Sequence, residues 1–235
     1  MNTILEDMKV HKSIKDTINS MADAALIGAR GNSGIIFAQF LNGINEEIND
    51  TKVLTTATLA EALKKSVPYA YKAILNPIEG TMITVIREWV DAVYKLKDVT
   101  ESFEVIIIKT LEDAKMSLAN TPNILTILKK ASVVDSGASG FVSFLQGVVY
   151  FLKDKNIKHL STNEEEIVFE EEIFNLTPNI TYRYCTEALI SNQKVSASEI
   201  KNALKYLGDS LIVAGNKSKV RIHIHTNKPD ELFYI

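Results

Sequence analysis

The 235 residues are 46% apolar and 23% charged, enough for a buried core in one large domain or two modest ones. The 29 acidic and 26 basic side chains are mixed along the chain and leave a formal net charge of −3, so no electrostatic footprint for a nucleic acid is present. A single cysteine excludes an intramolecular disulfide, the charged opening "MNTILEDMKVHK" lacks the apolar core of a secretory signal, and no apolar run approaches the roughly 20 residues of an integral membrane segment, so a cytoplasmic protein is expected.

From about Lys12 to Lys153 the apolar residues recur at helical spacing, as in Leu59, Leu63, Val67, Ala70 and Ile74, then Met82, Val85, Trp89, Val93 and Leu96. Four punctuated stretches divide this half: "GARGNSG" (Gly28 to Gly34), "LNPIEGT" with Pro77 and Gly80, "ANTPN" with Pro122, and "VVDSGASG" with Gly137 and Gly140. About five to seven helices are expected between them. The stretch from Lys155 to Ile180 carries the acidic runs Glu164 to Glu166 and Glu170 to Glu172 with little periodicity, and reads as a connector.

Beyond the connector the period changes. "ITYRYCTEALI", "SLIVAG" and "KVRIHIHT" read as strands, and "SASEIKNALKYLG" as a helix that Ser196 or Ser198 can cap and Gly208 can end. "PDELFYI" reads as the start of another helix. The chain is thus expected to be multidomain, α followed by α/β: a helical domain over 1–155, a linker over 156–180 and a partial α/β unit over 181–235.

Three glycine-bearing loops sit where helices begin. A helix N-terminus offers unpartnered N–H groups, and a glycine before it lets a phosphate approach without meeting a Cβ. Gly31 and Gly34 could permit that approach, with Asn32 or Ser33 donating to a phosphate oxygen; equally, the glycines could let two helices cross tightly. If the helices form an antiparallel bundle, the loops "GARGNSG", "EGT" and "DSGASG" meet at one rim. Arg30 could pair a phosphate or a carboxylate, and Asp135 could accept from a ligand or cap the helix that follows it.

In "KVRIHIHT" a spacing of two puts His223 and His225 on one strand face. With Cys185 on a neighbouring strand they would form a His₂Cys set suited to Zn²⁺, completed by water or a carboxylate; the alternative is a surface histidine pair and a structural cysteine. Glu187 shares the face of Cys185 and is a candidate fourth ligand or supporting partner. His11 and His159 lie in polar stretches without an assigned role.

The blocks "LIGARGNSGIIFAQFLNGI", "AYKAILNPIEGTMITVIREW", "ANTPNILTILKKASVVDSGASGFVSFLQG" and "YCTEALI…GDSLIVAG…KVRIHIHTNKP" resemble, in order, the bacterial fatty acid kinase catalytic subunit, whose first domain is similar to the nucleotide-binding L domain of dihydroxyacetone kinases. The resemblance implies an antiparallel α-helical barrel with ATP at one rim, followed by a small α+β domain. Gly31, Asn32, Ser33 and Gly34 would be the phosphate loop; Glu79, Gly80 and Thr81 a second nucleotide-facing loop; Asp135, Ser136, Gly137 and Gly140 a third. Cys185, His223 and His225 fall where the family's middle domain holds Zn²⁺. The implied reaction is ATP-dependent phosphorylation of a fatty acid carried by a DegV-family binding protein, giving an acyl phosphate.

The family's Asp-Gly-Asp-Thr-Gly loop, which holds Mg²⁺ on the ATP phosphates, has no match among these residues; Asp7 and Asp16 lack its spacing. Phosphoryl transfer rests on positioning and on metal neutralisation of charge, so the chain is expected to be inactive alone, cut at both ends relative to the family. Apolar surface left by a missing first helix makes a homodimer one expected form. Two other readings stand beside the kinase: a non-catalytic fragment that binds nucleotide and zinc, and a dihydroxyacetone kinase L-type phosphotransferase, which would leave the second half unexplained.

Overall fold

The computed structural model describes residues 2–48, 53–154, 181–216 and 218–234. The expected connector, with its acidic runs and His159, lies outside them. The first half is helical: α1 (Asn2–Asp7), α2 (Ile14–Gly28), α3 (Gly31–Glu47), α4 (Thr56–Ala73), α5 (Met82–Leu96), α6 (Phe103–Ile124), α7 (Thr126–Ala131) and α8 (Ser136–Asp154). These are eight helices against the five to seven that periodicity predicts; the short α1 and α7 carry too few turns to leave a periodic signal.

Most of the punctuation read from sequence does divide helices, but Pro122 does not. It lies inside α6, where its ring deprives the Leu118 carbonyl of the usual i+4 donor. The Thr121 hydroxyl supplies that donor at 2.8 Å, and so the helix runs on for two more residues to Ile124. Caps fix the other ends: Ser13 accepts from Asp16 N, Thr55 and Thr58 form a reciprocal box at α4, and Ser102 accepts from Val105 N.

The long helices bury apolar residues against a shared core that includes Leu26, Ile35, Phe40, Ile83, Val90 and Phe141, and α3 is buried without a break from Ala38 to Asn45. The Phe141 ring is its hub, meeting Trp89 edge-on at 5.5 Å between centroids and Phe37 at 6.2 Å. Neighbours in sequence pack on one another, and α8 returns against α5 and α6. No helix among the described residues is long and apolar enough to cross a membrane.

The second half forms a three-stranded antiparallel sheet in the order β1-β3-β2, from β1 (Tyr184–Ser191), β2 (Gly208–Gly215) and β3 (Lys219–Thr226), with α9 (Ala197–Leu204) between β1 and β2. Ser196, not Ser198, caps α9 in a box with Glu199. Gly208 opens β2 instead of ending the helix, and "PDELF" forms a 3₁₀ turn, Pro229–Phe233.

One sheet face, bearing Leu211, Val213, Val220, Ile222 and Ile224, closes on α9. The other packs on the helices, and Ile212 and Ala214 join the helical core. Polar contacts seal this junction. Gln39 and Asn42 of α3 bond the two backbone groups of Gly215, and Lys201 of α9 donates to Lys72 O and Ile74 O at the end of α4. A cation among the last carbonyls of a helix complements its dipole.

Candidate functional site

The hinge between α2 and α3 is Ala29 and Arg30 of "GARGNSG", whose residues 31–34 already form the first turn of α3. Arg30 turns back, donating to Ala29 O at 2.8 Å and Ile27 O at 3.3 Å, so it satisfies helix-end carbonyls and pairs with no carboxylate among the described residues. Gly31 opens α3 with φ +59°, and a Cβ built there would meet nothing within 4 Å. The glycine is required by its backbone conformation and not by crowding.

At Gly137 the requirement is space. A Cβ there would run into Ser33 Oγ and stand 2.9 Å from Ser33 Cβ, so the first turns of α3 and α8 can touch only because the residue is glycine. Asp135 accepts from Ala138 N at 2.8 Å, the helix-capping alternative of the two weighed for it.

Two cavities meet at Ser33. The first, about 410 Å³, lies between α2, α3 and α8 and is lined by Ser33, Gly34, Ser136, Gly137 and Gly140 over an apolar floor of Phe37 and Phe144. The second, about 360 Å³, lies between the helices and the sheet and is lined by Asn32, Ser33, Thr81 and Asp135 together with Asp209 and Ser210 of β2. Residues from all three glycine loops are therefore brought to one place.

Glu79 and Gly80 line neither cavity. Glu79 accepts from Thr84 Oγ1 at 2.5 Å, Tyr71 OH at 2.8 Å and Arg87 Nη1 at 3.1 Å, and Gly80 N donates to Thr84 Oγ1. Burial pushes the Glu79 carboxyl up, but these donors outweigh it and hold it below the usual carboxylate range. The same carboxylate, after burial, pushes the Tyr71 phenol up.

The sheet face toward the helices carries the second cluster. β1 and β3 are neighbours with Cys185 opposite His225 and Glu187 opposite His223, so the spacing of two on each strand places all four side chains together. Ligand atoms of Cys185, His223 and His225 lie within 4.8 Å of one another, with Cys185 Sγ 3.9 Å from His223 Nδ1. His223 Nε2 is buried without a hydrogen-bond partner among the described residues, and burial pushes the imidazole down toward its neutral, ligating form although Glu187 pulls the other way. One cysteine sulfur and two imidazole nitrogens make a donor set that fits Zn²⁺.

Glu187 has more partners than its candidacy as a ligand suggests. Its Oε1 accepts the Gly31 N–H at 2.7 Å and stands 3.3 Å from His223 Nδ1, while Oε2 receives Arg221 Nη2 at 3.0 Å. Burial pushes this carboxyl up, but the Gly31 amide, Arg221 and His223 together bring it below the usual range. Arg221 also donates to Ile27 O at 3.1 Å.

Sequence reasoning missed two participants. Arg221 could have been found, because it alternates with His223 and His225 on β3. Asp209 could not: its Oδ1 lies 3.3 Å from His225 Nδ1 only because a bulge between Asp209 and Ile212 shifts the register of β2.

Residues 1–150 match the family model of the DAK2 domain, and residues 181–235 match that of the FakA-like middle domain of fatty acid kinase. An uncharacterized protein of Staphylococcus saprophyticus is 37% identical over 217 residues, which cover 88% of this chain and 39% of that protein. One of Staphylococcus aureus is 34% identical over 235 residues, 94% of this chain and 42% of its own length. The chain spans about two fifths of the length of these curated relatives.

Proposed function

We propose that this chain, which belongs to the family joining a DAK2 domain to a FakA-like middle domain, is the nucleotide-binding part of an ATP-dependent fatty acid kinase. The observation that carries the reading is the convergence on Ser33. Residues of three separate loops, each at a helix start, line adjoining cavities there with hydroxyls, an amide and glycines. Asn32, Ser33, Gly34, Thr81, Asp135, Ser136, Gly137 and Gly140 would face the nucleotide. Glu79 and Gly80 would act one step behind, holding the turn that presents Thr81.

In the reaction the γ-phosphoryl group leaves the β-phosphate oxygen for a carboxylate oxygen of the fatty acid, giving ADP and an acyl phosphate. Mg²⁺ would supply charge neutralisation when bound. This chain's residues would bind and orient the phosphates through the N–H groups of the α3 and α8 first turns. The acceptor would be held by a DegV-family fatty-acid-binding protein. Closure of the helices into a barrel, Zn²⁺ on Cys185, His223 and His225, and the division at 1–155, 156–180 and 181–235 belong to the same proposal.

Calorimetric titration with ATP tests the site. The chain should bind ATP, and Ser33→Ala should weaken binding by about tenfold, the scale of a lost charge-assisted hydrogen bond. Gly137→Ala should weaken it further by wedging α8 from α3. ATP binding unchanged in both variants would remove the nucleotide from this rim.

A further inference from the structure

Glu187 joins two sites that lie 156 residues apart in sequence. Its carboxylate rests on the Gly31 amide, on Arg221 and on His223, and Arg221 reaches the last turn of α2 at Ile27 O. The glycine loop is thus held from the sheet on both sides of the hinge. Beyond its own helix and chain neighbours nothing would lie within 4 Å of a Cβ at Gly31, and the Glu187 carboxylate reaches this peptide through its N–H. His223 sits at the other end of the bridge with its side chain only 3% exposed.

We propose that Glu187 couples the Cys185, His223 and His225 cluster to the start of α3, so that a divalent cation on the cluster orders the glycine loop and an anion on the loop strengthens cation binding. A cation fixes the His223 ring, the ring fixes the carboxylate beside it, and the carboxylate fixes the Gly31 N–H. The effect is reciprocal by thermodynamic necessity. Glu187 is a positioning residue here: it changes how the first turn of α3 is held, while the remaining N–H groups of that turn stay free for a phosphate. Only the anion half of the coupling rests on the nucleotide reading.

Backbone hydrogen exchange at Gly31, followed by NMR with and without Zn²⁺, tests the bridge directly. Zn²⁺ should slow exchange at Gly31 by at least about fivefold in the wild type. Glu187→Gln keeps the size of the side chain but loses the charge that attracts all three partners; it should still bind metal, read from Co²⁺ absorption, and lose the zinc effect on Gly31. Asn42→Ala loosens the same junction at Gly215 and should keep the effect. The proposal is overturned if Zn²⁺ leaves Gly31 unchanged, if Glu187→Gln retains the slowing or no longer binds metal, or if Asn42→Ala abolishes the slowing as Glu187→Gln does. ATP titrations give a second readout: Zn²⁺ should tighten ATP by at least about fivefold in the wild type and not in Glu187→Gln. Absence of ATP binding in every form would remove the nucleotide reading alone, and the exchange result would still decide the bridge.

Discussion

Glu79 gathers three hydrogen bonds on a carboxylate whose side chain is 43% exposed. Its folded form is held below the usual carboxylate range, so the unfolded chain binds the proton more readily, and the stability it contributes is present above about pH 4.5 and lost as pH falls through the folded value. Glu79→Gln should therefore lower stability at pH 7 by about 1 kcal/mol, a modest figure because water screens the Arg87 pair. The gap should close when both proteins are melted at progressively lower pH below about 4.5. A gap that is constant from pH 7 to pH 3 would mean that the charge of Glu79 contributes nothing to the turn. At this scale a sequence shows which side chains exist but not which of them are already engaged. "EGT" reads as a ligand-facing loop, and only the three-dimensional approach of Tyr71, Thr84 and Arg87 reveals that Glu79 is tied down.

Among the elements, Thr121 illustrates how a helix survives a residue that should end it. Its hydroxyl, fully buried, donates to Leu118 O and accepts from Asp135 N at 3.2 Å, tying the distorted end of α6 to the loop that begins α8. Thr121→Val keeps the shape and removes both bonds, leaving a part-buried carbonyl and a part-buried amide without these partners. The cost should be about 1–3 kcal/mol in chemical denaturation, with Thr121→Ser recovering most of it. β3 is legible to its ends, Lys219–Thr226, because strict alternation over eight residues has one periodic interpretation. Pro122 misleads because the compensation comes from a threonine whose rotamer no propensity encodes. The cluster of Cys185, His223 and His225 is visible as a pattern on two strands, conditional on their pairing. Asp209 is hidden, since a bulge sets its register.

The whole molecule turns on the junction between helices and sheet. The change of period along the chain points to two domains, yet Ile212 of β2 is only 2% exposed and belongs to the apolar core that the helices build, and the peptide after α4 extends the sheet, with Leu75 N bonded to Leu211 O at 3.0 Å. A core shared in this way makes the stability of one unit depend on the other, because neither can open without exposing the apolar surface of both. Trp89, the sole tryptophan, lies on α5 within the helical core and reports on the unfolding of that core. Ile212→Ala should cost about 2–5 kcal/mol, and the loss should appear in full in the Trp89 fluorescence transition. Were the sheet an independent unit, circular dichroism would register two transitions and the Trp89 midpoint would stay where it is in the wild type. A shared core also explains how a strand cluster and a helical loop can act together: their spacing is held by apolar packing on one side and by the Glu187 carboxylate on the other.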